Sequence, residues 1–452
     1  MSLKESGHHF IAIIGGAVAG AEAAFQLSKR GFRIIVFDQA MLPFGKIEDG
    51  LPKWHAKLRD KEEANINNKI NQPNIRFVPG VRLGREIDFE DILTWGFSAI
   101  ILATGAWKDR PLPIDGINSY VNKGLYYQNP FVHWFNHKHE PDYSEQQFDI
   151  KDNALVIGGG LASLDVMKIL MIETVQNALK ERGIEVDMFI LEHGINKVLD
   201  NHNLTLEDLG LKGGTLAYRR RAIDMPLSPL ATDTKEKLQK AQTVRQKILD
   251  NFQRKYLFKF EPCCIPKQSI AQNGQLHGIR FQRTKIIDNK VTPIDEYFDI
   301  KSPMVVSSIG SIPEKIKGIP SDGNVFKITD PDSCLIDGFD NVFAIGNAVT
   351  GKGNINESVK HGREISEEIM ESYLDWHQDD YESWHRQTAV KVYRDIAKIV
   401  EVIAKQKFMP DEVIHTILDK TKALQEKAGF DGNYEAWVKE KTPPRLENMI
   451  SS

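Results

Sequence analysis

Two glycine-rich turns, each placed between a short apolar run and a helix-forming stretch, constrain this chain more than any other feature. The first follows the apolar residues 10–14 and reads Gly-Gly-Ala-Val-Ala-Gly over 15–20. The second follows 154–157 and reads Gly-Gly-Gly-Leu-Ala-Ser over 158–163. A strand that enters a helix through such a turn presents free N–H groups and a partial positive charge, which suit dinucleotide phosphates. Two such turns predict two nucleotide-binding units, one for a flavin and one for a nicotinamide coenzyme.

The bulk composition is typical of a globular protein with several domains. The 452 residues exceed what one hydrophobic core usually serves, and domains of about 100–200 residues suggest two or three. Hydrophobic residues make up 41% of the chain and charged residues 27%. A formal net charge of -4, without a dense basic block, argues against nucleic-acid binding.

The lengths of the apolar segments and the number of cysteines argue against several other classes of protein. The apolar run at 10–14 meets glycine at once, which indicates a strand and not a signal peptide. No stretch approaches the roughly 20 apolar residues of a membrane-spanning helix, so we expect a cytoplasmic protein without membrane association. Cys263, Cys264 and Cys334 are too few for a disulfide framework or a four-thiolate iron–sulfur cluster within this chain.

The order of apolar runs and glycine turns predicts an α/β fold with two Rossmann-like dinucleotide-binding domains. Residues 1–116 and 311–375 are expected to form the FAD-binding domain, because the apolar strand at 341–345 returns to complete its sheet. The NAD(P)-binding domain, residues 117–310, is inserted in it, and residues 376–452 form a C-terminal helical extension.

The extension shows helical spacing of its apolar residues. The residues predicted to share one apolar face are Val390, Tyr393, Ile396, Ile399, Val400 and Ile403. A second helix is predicted to begin at Asp411, after Pro410. A cap packed on the main body and a docking surface for a partner both fit this pattern.

The first glycine turn has the context of a flavin site. Gly15 and Gly20 let the backbone bend and bring the helix close to the strand, with Gly16 between them. Ala17 takes the middle glycine position, where it leaves less room for a phosphate. Asp38 ends the next apolar strand, where a carboxylate can accept hydrogen bonds from both ribose hydroxyls of FAD.

The second glycine turn favours a nicotinamide coenzyme. Gly158, Gly160 and Leu161 are expected to contact its phosphates at the start of the helix. Ser163 replaces the third glycine, a change that indicates NAD(P) and not a second FAD.

Two strand ends compete for the adenosine ribose of that coenzyme. Glu192 ends a strand predicted over 184–191, and it would bond a free 2′-hydroxyl and repel a 2′-phosphate. Arg219 and Arg220 follow the strand at 215–218 in a run of three arginines, which could hold the phosphate by charge-assisted hydrogen bonds. We favour NADPH over NADH, and arginines that pair with nearby acids are the alternative.

Several stretches carry a family resemblance. They are residues 43–55, 81–90, 102–106, 110–116, 131–136, 158–165, 216–220, 225–226, 305–310 and 346–355. In this order they resemble the adrenodoxin reductase group of ferredoxin:NADP reductases and its relative, the small subunit of glutamate synthase. The resemblance covers most of residues 10–370 and implies a flavoprotein that binds FAD and NADP(H).

Further site residues follow from this resemblance alone. It implies flavin contacts at Gly45, Leu51, Thr104, Gly105, Gly346, Asn347, Gly353, Asn354 and Ile355. It also implies that His55 and Asp165 lie near the flavin and the nicotinamide, where they could relay or hold a proton. A structural histidine and a helix-capping aspartate are the alternative. Asn347 stands where many such flavoproteins carry aspartate, and residues 184–213 read as an insertion.

The chemistry implied is electron transfer between NADPH and a one-electron carrier such as a ferredoxin, by way of FAD. The sequence has no Cys-x-x-Cys motif, so electrons are expected to leave the flavin directly. The basic stretch 219–247 could receive an acidic carrier, although such a run is also typical of a solvated helix face. An electron-input subunit of a larger complex and a nucleotide-binding regulatory protein without turnover are the alternatives.

A histidine pair raises the question of a metal. His133 and His137 stand four residues apart, with His139 beside them, so a helix would place two of them on one face. No neighbouring carboxylate completes an H-E-x-x-H motif. We therefore predict no metal site.

Overall fold

The computed structural model describes residues 7–228, 230, 232–329, 334–350 and 376–450. The strands are β1 (Phe10–Ile14), β2 (Arg33–Phe37), β3 (Ile75–Val78), β4 (Ala99–Leu102), β5 (Lys108–Asp109), β6 (Leu125–Tyr127), β7 (Leu155–Gly158), β8 (Thr215–Ala217), β9 (Lys259–Glu261), β10 (Cys264–Gln272), β11 (Gln275–Ile287), β12 (Lys290–Lys301), β13 (Val305–Ser308), β14 (Ser311–Ile312), β15 (Ser321–Asp322), β16 (Val325–Phe326) and β17 (Val342–Ala344). The helices are α1 (Val18–Ser28), α2 (Lys46–Asp49), α3 (Ala56–Ile70), α4 (Phe89–Thr94), α5 (Gln128–His137), α6 (Leu161–Glu181), α7 (Met188–Glu192), α8 (Ile195–Asn201), α9 (Lys235–Tyr256), α10 (Asn347–Thr350), α11 (Trp376–Ile403), α12 (Asp411–Ala428), α13 (Tyr434–Lys441) and α14 (Leu446–Ile450).

The first sheet contains the first glycine turn. Its strand order is β17-β4-β1-β2-β3, and all four pairings are parallel. All five residues of β1 are buried, as expected for the central strand of a parallel sheet that is covered on both faces. Strand β17 pairs with β4, so the chain returns to this sheet after the second one, as the sequence predicts.

The second sheet contains the second glycine turn. Its order is β6-β13-β7-β8-β9, again with parallel pairing throughout. The two connections between the sheets run side by side, because β5 on the way out pairs antiparallel with β14 on the way back. This arrangement agrees with an inserted second domain, whose predicted boundaries at 117–310 stay a prediction.

An antiparallel layer of β10, β11 and β12 was not anticipated from the sequence. Its buried residues, such as Leu276, Ile279 and Phe281, pack against Leu155 and Val305 of the second sheet. The opposite face of the layer is exposed, so its strands carry fewer apolar residues than the parallel strands. They therefore lack the continuous apolar runs that are typical of buried parallel strands.

One predicted strand is wrong. Residues 184–191, expected to be a strand that ends in Glu192, form a loop followed by α7. The carboxylate of Asp187 accepts a hydrogen bond from the backbone N–H of Phe189 at 2.6 Å. That contact caps the N-terminus of a helix, and it outweighs the strand preference of the β-branched residues before it.

The C-terminal helices α11 and α12 form a cap that packs on the two faces of the first sheet. In α11 the residues Val392, Ile396, Ile399 and Ile403 share a core with Ile11 of β1. Helix α12 begins at Asp411, as predicted, and places Ile414 and Ile417 against the other face of the sheet, in one core with Phe10, Ala12 and Ile14. The buried amide of Gln425 also donates a hydrogen bond to the carbonyl of Phe77 at 2.7 Å.

Two residues of the predicted apolar face of α11 were misplaced. Val390 is 56% exposed and Tyr393 is 52% exposed, and Val392 takes the buried position. The spacing 392, 396, 399 and 403 defines one helical stripe, and residues 390 and 393 fall outside it. None of the helices in the described ranges has the length and apolar character needed to cross a bilayer.

Candidate functional site

A cavity of about 1650 Å³ lies between the two sheets and is lined by both glycine turns. The predicted site residues that line it are Gly15, Ala17, Asp38, Gly45, Leu51, Thr104, Gly105, Gly346, Asn347, Gly158, Gly160, Leu161, Ser163 and Arg219. The predicted residues that lie outside the lining are Gly16, Gly20, Arg220, His55 and Asp165. The positions Gly353, Asn354 and Ile355 lie outside the described residues.

The first turn requires its glycines for steric reasons. Gly15 has a φ of +101°, and a Cβ atom there would lie 2.5 Å from the carbonyl oxygen of Ala103. A Cβ atom on Gly20 would lie 1.8 Å from the carbonyl oxygen of Gly15. Gly16 and Gly20 therefore shape the turn without lining the cavity, whereas Ala17, the residue that precedes α1, lines it.

Asp38 is a buried carboxylate at the end of β2, with 5% exposure. It accepts hydrogen bonds from the backbone N–H groups of Gly16 at 2.7 Å and Ala40 at 2.9 Å. Burial raises the pKa of Asp38 to about 6, although these two hydrogen bonds oppose the rise. Its place on the cavity wall lets the carboxylate accept hydrogen bonds from a bound ribose.

The loop after β2 brings an unpredicted lysine into the cavity. Gly45 has a φ of +53°, and Lys46 follows it as the first residue of α2. The Lys46 ammonium donates hydrogen bonds to Asn129 Oδ1 and Ser311 Oγ, each at 3.0 Å, and so joins the two units. Burial lowers the pKa of Lys46 to about 8, although the nearby carboxylates of Asp109 and Asp49 act to raise it.

The far wall on the flavin side is formed where β4 and β17 end. Thr104 and Gly105, with a φ of +68° at the glycine, follow β4. Gly346 has a φ of +65°, and Asn347 is the first residue of α10. Both pairs line the cavity, so the strand ends of the first sheet meet there as the resemblance implies.

In the second turn, one glycine has free space beside its Cα atom and the other two do not. A Cβ atom on Gly160 would meet nothing within 4 Å, and Gly160 directly precedes α6. A Cβ atom on Gly159 would lie 2.1 Å from the ring of Tyr218, which covers the turn. The hydroxyl of Ser163 is buried and donates a hydrogen bond to the carbonyl of Ser308 at 3.0 Å. Ser163 therefore fastens α6 to β13, while the space at Gly160 remains for a ligand.

The three arginines after β8 differ in what they contact. Arg221 forms two hydrogen bonds with the carboxylate of Asp224, at 2.8 and 3.0 Å. Arg220 bonds the side chain of Asn289 and lies 3.9 Å from Asp224. Arg219 is exposed and lines the cavity, and within the described ranges no side-chain partner of its guanidinium is found. Arg219 is therefore the member of the run that can bind a phosphate in the cavity.

Glu192, the competing candidate for the ribose, is not on the cavity wall. Its carboxylate forms an ion pair with the ammonium of Lys168 at 2.5 Å, and the Lys168 side chain is 3% exposed. Burial alone would raise the pKa of Glu192, but the ammonium of Lys168 lowers it overall. The ribose role predicted for Glu192 depended on a strand over 184–191 that does not form.

His55 and Asp165 are brought together, as the resemblance implies. The Nε2 atom of His55 lies 3.8 Å from Oδ1 of Asp165, and both side chains are largely buried. The side chain of Lys168, one turn along α6, packs over the ring of Trp54 at 4.2 Å. Because neither His55 nor Asp165 lines the cavity, their proposed catalytic role stays a prediction.

The histidine pair on α5 meets a carboxylate from the flavin side. His133 Nδ1 lies 3.3 Å and His137 Nε2 lies 3.2 Å from Oδ1 of Asp49. Burial lowers the pKa of His137, but Asp49 and Glu140 outweigh it and raise the pKa to about 10. His139 points elsewhere and contacts the carbonyl of Pro444 at 3.0 Å.

Several of these residues were missed in the sequence. Lys46 sits directly after Gly45, and Tyr218 sits directly before the arginine run, so adjacency to predicted site residues was the available signal. Asp49 had no such signal, because its partners lie more than eighty positions further along the chain.

Comparisons with known proteins agree with this geometry. Residues 9–172 match the family described as pyridine nucleotide-disulphide oxidoreductase. The chain is 26% identical over 348 residues to the mitochondrial NADPH:adrenodoxin oxidoreductase of Arabidopsis thaliana, covering 69% of each protein. It is 25% identical over 373 residues to the glutamate synthase [NADPH] small chain of Bacillus subtilis, covering 79% of this chain and 66% of that protein.

A solved structure shares the fold. The structure of Mycobacterium tuberculosis FprA in complex with NADPH aligns with a TM-score of 0.64 at 18% identity, covering 93% of this chain and 91% of that one. The resemblance inferred from the sequence, and the fold of two dinucleotide-binding units, are confirmed.

Proposed function

We propose that this chain, which has the fold of the two-domain FAD and NAD(P) reductases and relatives among the NADPH:adrenodoxin oxidoreductases, is an FAD-dependent NADPH oxidoreductase that serves a one-electron carrier. The observation that supports this best is the shared cavity. Ala17, which precedes α1, and Gly160, which precedes α6, line the same space. Two helix N-termini can therefore receive two pyrophosphates whose rings meet between them.

The residues on the first side fit FAD. The turn at Gly15 and Gly20 cannot accept a Cβ atom, and Asp38 offers a buried carboxylate at the ribose position. Bound FAD would supply the chemistry of taking two electrons from NADPH and releasing them singly. The protein's task is to hold the two rings at about 3–3.5 Å and to exclude water, which is positioning and not bond-making.

The residues on the second side fit NADPH better than NADH. Arg219 is exposed and lines the cavity, where its guanidinium could form charge-assisted hydrogen bonds with a 2′-phosphate. Glu192, which would have favoured a free hydroxyl, is held by Lys168 away from the cavity. Both observations favour the phosphorylated coenzyme.

An external one-electron carrier is the acceptor that we propose. The three cysteines are free thiols, and burial raises the pKa of Cys264, the one on the cavity wall, to about 12. A thiol held protonated in this way is a poor nucleophile, so exchange with a protein disulfide is disfavoured. The basic residues at 219–247 give a surface to which an acidic ferredoxin-like carrier could bind.

A second candidate is an electron-input subunit of a larger complex. The similarity to the glutamate synthase small chain over 79% of this chain supports it. The cap formed by α11 and α12 buries most of its apolar residues against the first sheet. Any docking by this region would therefore use its outer face, where Val390 and Tyr393 are exposed.

Reduction of cytochrome c, driven by NADPH, distinguishes the two candidates. If the first is correct, the purified protein reduces cytochrome c slowly alone and much faster when a ferredoxin is added. If the second is correct, a ferredoxin has no effect, and the chain co-purifies with a catalytic subunit. Absence of any NADPH-driven reduction with several carriers would contradict both.

A further inference from the structure

We propose that Asp49, His133 and His137 form a binding site for a zinc ion between the two units. The three side chains offer one ligand atom each, and these atoms all lie within 4.8 Å of one another. Imidazole nitrogen and carboxylate oxygen are both ordinary zinc ligands. The inference goes beyond the proposed electron transfer and departs from the prediction of no metal site.

The distances match a tetrahedral site. With zinc bonds of about 2.0–2.1 Å, neighbouring ligand atoms of a tetrahedron stand roughly 3.3–3.5 Å apart. His133 Nδ1 and His137 Nε2 lie 3.3 and 3.2 Å from Oδ1 of Asp49. Both distances from the Asp49 oxygen therefore match the spacing that the ion would impose, and the two histidine nitrogens lie within 4.8 Å of each other.

The second nitrogen of each imidazole is also engaged as metal-bound histidines require. His137 Nδ1 lies 2.5 Å from Oε1 of Glu140, and His133 Nε2 lies 3.2 Å from Oε2 of Glu145. A carboxylate that accepts the other ring N–H fixes the tautomer and the ring orientation in most histidine–metal sites. Each histidine thus directs one ring nitrogen to Asp49 and the other to an outer carboxylate. These outer contacts support the site independently of the distances to Asp49.

Local structure explains how the site forms. His133 and His137 are one helical turn apart in α5, so they share a face, and their ring centroids are 4.5 Å apart. Asp49 ends α2 in the loop that carries Gly45 and Leu51. The side chains of Asp49 and His133 are 26% and 30% exposed, which leaves an approach for the ion and for a water as fourth ligand.

The ion would join the flavin side to the inserted unit. Asp49 also lines the cavity, and Lys46 in the same short helix bonds Asn129 near the start of α5. Zinc at this point would hold the loop at Gly45 to Leu51 against α5. It would fix the angle between the two units without contacting the reacting rings.

Equilibrium dialysis of the full-length protein tests the site. Protein stripped with a chelator is dialysed against dilute zinc sulfate, and bound zinc per chain is measured by elemental analysis, a readout that needs neither FAD nor NADPH. We expect one zinc per wild-type chain. His133→Gln, His137→Gln and Asp49→Asn should each lose stoichiometric zinc, while Glu140→Gln should bind about 10–100-fold more weakly.

A matched control is His139→Gln, which alters a nearby histidine outside the cluster and should keep the full zinc content. Circular dichroism and flavin content report whether each variant is folded, and His133, the more exposed of the two histidines, is the safest to change. Wild-type protein that binds no stoichiometric zinc would overturn the proposal. Equal zinc binding by wild type and a folded His133→Gln variant would overturn it as well.

Discussion

The imidazole Nε2 of His55 and the carboxylate Oδ1 of Asp165 lie 3.8 Å apart, and neither residue lines the shared cavity. The pair joins the segment after α2 to the first turns of α6, and Lys168 extends it towards Glu192. This position suits side chains that hold the two units in register more than side chains that touch a reacting atom.

We therefore expect His55→Gln to change the rate of flavin reduction by NADPH by less than about tenfold, whereas loss of a general acid or base costs about 10²–10⁴-fold. The measurement is anaerobic stopped-flow absorbance across a range of pH. A hundredfold loss together with an altered pH profile would instead make His55 a catalytic residue.

We expect Asp38 to make FAD binding depend on pH. Its pKa is about 6 in the flavin-free protein, so the carboxylate is ionised above that pH and protonated below it. Because ribose hydroxyls donate to the ionised form, FAD affinity should fall about tenfold for each pH unit below 6. In Asp38→Asn the affinity should be about 10–100-fold weaker at pH 7.5 and nearly independent of pH. Fluorescence titration of flavin-free protein measures both, and a wild-type affinity unaffected by acid would contradict this role.

Arg219 should determine the choice of coenzyme. Removing one or two charge-assisted hydrogen bonds to the 2′-phosphate costs about 1.5–3 kcal/mol, so Arg219→Gln should raise the KM for NADPH about 10–100-fold and leave that for NADH unchanged. Arg221→Gln is the control, because Arg221 is occupied by Asp224. Equal effects of the two substitutions would show that the run acts only as a diffuse positive surface.

Glu192 should matter for stability and not for coenzyme choice. Glu192→Gln leaves the buried ammonium of Lys168 without its carboxylate, and we expect a loss of about 1–3 kcal/mol in the free energy of unfolding. The ratio of NADPH to NADH efficiency should stay the same. Chemical denaturation and steady-state kinetics measure the two quantities, with exposed Glu185→Gln as control. A shift of this ratio towards NADPH and away from NADH would restore the ribose role that the sequence suggested for Glu192.

Local sequence signals predicted the glycine turns and several of the strand ends that line the cavity. Glycine turns and strand ends have positions in space that follow from the α/β fold itself, so Gly15, Asp38, Gly160 and Arg219 could be placed without a structure. The same reasoning failed at 184–191, where the cap at Asp187 favoured a helix over a strand.

Contacts between units could not be predicted in this way. Asp49 reaches His133 and His137 only because the second unit folds back onto the loop after β2. Tyr218 covers Gly159 because β8 lies beside β7 in the finished sheet. Neither relationship leaves a spacing in the sequence, since each depends on how separate elements pack.

Both glycine turns line one cavity, and an anaerobic titration with NADPH and NADH in parallel tests most directly whether they bind the two coenzymes there. The visible absorbance of the flavin is followed in wild type and in Gly160→Ala, whose added methyl group has space in the protein but would meet the coenzyme phosphates. We predict yellow wild-type protein that stoichiometric NADPH bleaches and that requires far more NADH. Gly160→Ala should retain FAD and need more NADPH. Protein that stays colourless after refolding with excess FAD, or yellow protein that NADPH does not bleach, would show that the cavity does not bring the two coenzymes together.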